Sequence, residues 1–154
     1  MSTASKATLK ALQIIHRAML LGQIVFLLIV VFLKYSNRFP STLQHLDQLL
    51  QLVALVLSFG GFFIGGVIFK KKLQQVKEVP DLVAKVMAYR SGCMIQWALL
   101  EAASFFCILC FLLVGNYAFL ALSLALLLAF AVVGPSKLKL MLQLQLSEEE
   151  LEVF

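Results

Sequence analysis

The chain has 154 residues, of which 62% are hydrophobic and only 14% charged, with a mean hydropathy of +0.97. Soluble domains are roughly a quarter charged and just under half apolar, so this composition excludes both an ordinary soluble domain and a disordered chain. The net charge of +5 would suggest nucleic acid in a soluble protein, but here the basic residues cluster at the ends of apolar runs, where they contact lipid head groups and set topology.

Four apolar runs follow in order: Ala18–Leu33, Leu52–Phe69, Gly92–Val114 and Tyr117–Val133. A spanning helix needs roughly 20 mostly apolar residues. None of the runs alternates as a barrel strand does, so the expected fold is an all-α membrane protein. We expect a transmembrane domain over residues 1–135, built from two helical hairpins, with helices at about 8–34, 42–70, 81–114 and 116–133. Residues 136–154 form a cytoplasmic tail. The first run is read as a retained helix, because its apolar stretch is long and Lys34-Tyr35-Ser36-Asn37 is not a small-residue cleavage site.

Several helix ends are legible. Ser41-Thr42-Leu43-Gln44 has the capping-box spacing and predicts the start of the second helix. Pro80-Asp81 predicts the start of the third, with proline at an early position and a carboxylate in the first turn. Asp81–Val114 would be about 50 Å long at 1.5 Å per residue, so its first turns should project from the hydrocarbon core. Gly134-Pro135 stops the fourth helix.

Orientation follows from lysine and arginine. Lys6 and Lys10, the second loop (Lys70, Lys71, Lys72, Lys77, Lys85, Arg90), and Lys137 and Lys139 would share one side. The other side has only Lys34 and Arg38. The positive-inside rule then places both termini in the cytoplasm. A bacterial inner membrane is preferred, from this asymmetry and the lack of eukaryotic sorting motifs.

Glu101 is the most informative single residue, about two turns inside the third run. A carboxylate at that depth is costly and marks a functional site by default. It would either carry a proton or cation, or pair with Arg17, which enters the parallel first helix from the same side, with Gln23 and Gln96 as further hydrogen-bonding groups. The pairing is the preferred reading. Gly60, Gly61, Gly65 and Gly66 give the second helix a small face for close packing, within the chain or between copies. His16 and His45 are expected at opposite interfaces and therefore not on a shared haem. Cys107-x-x-Cys110 has redox spacing but lies within an apolar helix, where thiols behave as small hydrophobes. Trp97, Tyr35, Tyr89 and Tyr117 suit the interfacial aromatic belt. The odd cysteine count, three, gives no disulfide framework. Matches between Ala18–Leu21 and Ala98–Glu101, and between Phe26 and Phe106, hint at a duplicated hairpin.

The tail alternates: Leu138, Leu140, Leu142, Leu144 and Leu146 occupy even positions from Lys137 to Leu146. Period two predicts a strand that pairs with another molecule, followed by a short helix from Ser147; the other reading is an irregular segment on the head groups. No catalytic, metal or cofactor motif is expected. Membrane thiol oxidases need outer-loop cysteines, absent here, and small multidrug transporters carry their carboxylate in the first helix, where this chain has none. The expected function is non-enzymatic: an accessory or interaction subunit of a larger membrane assembly, bound to lipid and to copies of itself or other membrane subunits, not to nucleic acid. The alternative is a small transporter or ion-conducting subunit built on Glu101.

Overall fold

The computed structural model describes residues 2–76 and 81–144. Among them every regular element is helical: α1 (Ser2–Tyr35), α2 (Asp47–Gln75), α3 (Leu82–Val114), α4 (Tyr117–Val132) and α5 (Lys137–Leu144), with one 3₁₀ turn at Gln44–Leu46 before α2. Three apolar stretches are long enough to cross a membrane: Leu9–Tyr35, Gln44–Gln75 and Val83–Val114. This length and composition describe a multi-pass membrane protein. α4 is equally apolar but has only 16 residues, about 24 Å against a hydrocarbon core of about 30 Å.

The core is organised around α3. Half of its apolar span is buried within the protein, against 17% for α1. α2, α1 and α4 all pack on α3, whereas α1 packs on α3 and α4 rather than on α2. The expected pair of hairpins is therefore corrected. The third helix sits between its neighbours, and the first two do not form a separate unit. Small residues allow this. A Cβ at Gly61 would lie 3.1 Å from the Leu99 carbonyl oxygen, and one at Gly65 would lie 3.3 Å from Gln96 Cα. Glycine at both positions lets α2 approach the α3 backbone.

Local chemistry fixes the helix ends. Asp81 caps α3 by accepting from the Val83 amide at 3.0 Å, and Asn116 caps α4 by accepting from the Ala118 amide at 2.9 Å. Between them Gly115 ends α3 in the left-handed conformation, φ 83°, with its N–H on the Phe111 carbonyl. The expected Ser41 capping box is not formed. Leu43 precedes the 3₁₀ turn without a side-chain cap. Ser41 Oγ instead accepts from Lys34 Nζ at 2.8 Å, and the amides of Thr42 and Leu43 donate to the Leu113 carbonyl. Asn116 Nδ2 also donates to both Asp47 oxygens, at 3.1 and 2.9 Å, tying the start of α4 to the start of α2.

The alternating tail is a helix, not a strand. A lone strand would leave its backbone groups unpaired, and the chain has no second strand among its described residues. A helix satisfies those groups internally, and Leu, Lys, Met and Gln all favour it. Ser136 starts α5, its Oγ accepting from the Lys139 amide at 3.2 Å. The leucines then divide: Leu140 is buried while Leu138 and Leu142 are exposed. The expected helix after Ser147, and Leu146, lie outside the described residues.

Candidate functional site

Trp97, Glu101 and Phe105 lie at i, i+4 spacing on one stripe of α3. Trp97 meets His16 of α1 with ring centroids 4.9 Å apart, and Phe105 meets Phe26 of α1 at 5.1 Å. α1 and α3 therefore run in the same direction, and Glu101 sits on their seam midway between the two ring pairs. It is partly exposed. One turn back from Phe26, Gln23 occupies the same depth on α1. It is fully buried, and among the described residues neither end of its amide has a partner, nor does the buried Ser104 Oγ on α3.

The four polar residues singled out in the sequence are thus only partly brought together. Gln23 and Glu101 share a layer. Gln96 is turned toward α2, against Gly65. Arg17 is exposed and lines a cavity of about 330 Å³ between α1 and the end of α4, with Gln13 and His16. Among the described residues no ion pair joins Arg17 to Glu101, so the expected pairing is not made. Along an α1 that runs parallel to α3, Arg17 is level with Trp97, one turn short of the carboxylate.

Two further expectations are corrected. Trp97 is completely buried and Tyr89 is 2% exposed, so neither belongs to an interfacial belt, whereas Tyr35 and Tyr117 are exposed. His16 is also buried. Its Nε2 donates to the Phe130 carbonyl at 2.9 Å, and its ring stacks on Phe130 with centroids 4.7 Å apart. His45 is exposed on the 3₁₀ turn before α2. Cys93, Cys107 and Cys110 are buried free thiols, and Cys107 Sγ lies 3.7 Å from Ser58 Oγ. Among the described residues no group of His, Cys, Asp and Glu could hold a metal ion.

A further cavity lies elsewhere, at the end of the bundle where α5 returns. It measures about 530 Å³ and lies between α2 and the end of α4, with Tyr89, Cys93 and Gln96 of α3 on its wall and α5 across its mouth. Its position follows from the packing. α2 and α4 are tied together at one end through Asp47 and Asn116, while α5 stands between them at the other. Lys139 of α5 donates to the Val132 and Gly134 carbonyls, capping α4 with a cation where the helix dipole is negative. A second groove, about 410 Å³, runs along the other half of the α2–α4 seam between Ala54, Leu55, Ala118 and Ala121. Sequence reasoning missed both. The signal available was the run of small residues on the facing sides of α2 and α4, which reads equally well as close packing.

No family model, no curated protein and no solved structure matches the chain.

Proposed function

We propose that the chain is a non-enzymatic, multi-pass membrane subunit that docks other membrane chains, or copies of itself, along the α1–α3 seam. One observation carries this reading: Glu101 lies within an apolar span, is partly exposed on the outside of the bundle, and makes no ion pair with the chain's own arginine at that end. A carboxylate at that depth is costly unless a donor or cation reaches it. A polar group on a neighbouring membrane helix supplies one and fixes the register of the contact. The broad exposed apolar surface of α2, including Phe59, Phe63 and Ile64, suits lipid or the same assembly.

All four long helices are taken as spans, with α4 short enough to need local thinning of the bilayer. Both termini are placed in the cytoplasm, and a bacterial inner membrane is the preferred location, on the lysine and arginine distribution. The transport reading is the weaker one. It needs a water-filled path at Glu101, and the three cavities described above are lined by other residues.

The test is co-purification from native membranes in mild detergent. Glu101→Leu should lose the associated chains or the homo-oligomer, while remaining inserted and folded. Glu101→Gln should retain most of the association, because the amide still hydrogen-bonds. Association unchanged in the leucine variant would overturn the proposal.

A further inference from the structure

The cavity between α2 and α4 has a graded lining. Gly65 packs on Gln96 and Phe69 on Tyr89, so Gly66 lies about one turn deeper than Phe69 on α2, and Gln96 about two turns deeper than Tyr89 on α3. Lys70 and Gln74 follow toward the end of α2, and Lys139 and Gln143 face the mouth from α5. The wall is completed by Cys93 of α3 and by Val132 and Val133 at the end of α4. Among the described residues no lining side chain is acidic. The mouth thus presents two lysines and two amides, at the level where the apolar run of α2 gives way to Lys70-Lys71-Lys72. Gln143 contributes a buried amide oxygen with no hydrogen-bond partner among the described residues. A volume of about 530 Å³ falls within the roughly 300–1,000 Å³ typical of small-molecule sites.

We propose that this cavity binds the phosphate-bearing head and first acyl segment of an anionic phospholipid, between α2, α4 and α5. Charge and polarity decide the occupant. A phosphodiester is attracted by the lysines at the mouth, a hydroxyl or ammonium on the same head group satisfies the Gln143 oxygen, and the acyl chain follows the Phe69, Val132 and Val133 wall. A free phosphate ion matches the mouth alone and leaves the apolar wall unfilled. This site is separate from the α1–α3 seam and does not depend on Glu101.

Gly66 offers a clean way to close the cavity. It lines the wall, and a Cβ there would meet nothing within 4 Å, so Gly66→Leu should fill the cavity without displacing the backbone. Lys70 is exposed, so Lys70→Gln removes a charge without disturbing the core. The experiment is native mass spectrometry of the full chain in detergent. It uses dioleoylphosphatidylglycerol as probe, dioleoylphosphatidylcholine as the neutral-head control and inorganic phosphate as competitor. The wild type should retain phosphatidylglycerol in preference to phosphatidylcholine. Lys70→Gln should weaken that retention about fivefold, and Gly66→Leu should abolish it with the thermal midpoint unchanged. Glu101→Leu should leave it intact, separating this site from the docking seam. Equal retention of the two lipids, full retention by folded Gly66→Leu, or displacement by millimolar phosphate would each overturn the assignment.

Discussion

His16 shows how one side chain joins three helices. Its ring lies between Trp97 of α3 and Phe130 of α4, and its Nε2 holds the Phe130 carbonyl. Gly134 is part of the same arrangement, since a Cβ there would come within 3.0 Å of the imidazole. His16→Leu keeps most of the volume but removes the hydrogen bond and the stacked ring. The expected loss is about 1–3 kcal/mol, seen as a lower thermal midpoint in detergent with the helical content unchanged. Nothing in the sequence marks His16 as buried, because a histidine one residue before Arg17 reads as interfacial. Glu101 is the opposite case. Its depth was legible from its place within an apolar run. Its neighbours were not, because pairing with Arg17 depends on how far α1 slides along α3, and a uniformly apolar helix carries no register mark.

At the scale of elements, the start of α3 was legible at Pro80-Asp81, although Asp81 caps the helix rather than sitting in its first turn, whereas the Ser41 box for α2 does not form. Which helices pack together does not follow. In a membrane the outside of the bundle is as apolar as its inside, so the pattern that separates buried from exposed faces in water is largely erased. That is why the central place of α3 and the burial of Trp97 are visible only in the folded chain. The tail fails for a different reason. Alternate leucines have the period of a strand, but a strand needs a partner and a helix does not. Ser136 supplies the start of α5. Ser136→Ala should cost α5 about 1 kcal/mol and raise hydrogen exchange at the Lys139 amide about fivefold. Exchange at the α3 core should be unaffected. An unchanged Lys139 amide would show that packing of Leu140, rather than the cap, sets the start of α5.

For the molecule as a whole, the basic residues at the ends of the spans make orientation directly testable. With single cysteines introduced into a background lacking Cys93, Cys107 and Cys110, an impermeant thiol reagent added to intact cells should label position 41. Position 71 and position 139 should react only after permeabilisation. Labelling of position 71 from outside would reverse the topology and place the lysine-mouthed cavity on the other face. The central claim, however, is that the Glu101 flank is a contact surface for membrane chains. Its most direct test is a photo-crosslinking residue at Ala98, exposed one turn before Glu101, irradiated in native membranes and compared with the same probe at Phe63 on α2. The account predicts a discrete protein adduct from position 98 that Glu101→Leu removes and Glu101→Gln keeps. Adducts to lipid alone at position 98, or a protein adduct indifferent to Glu101, would contradict it.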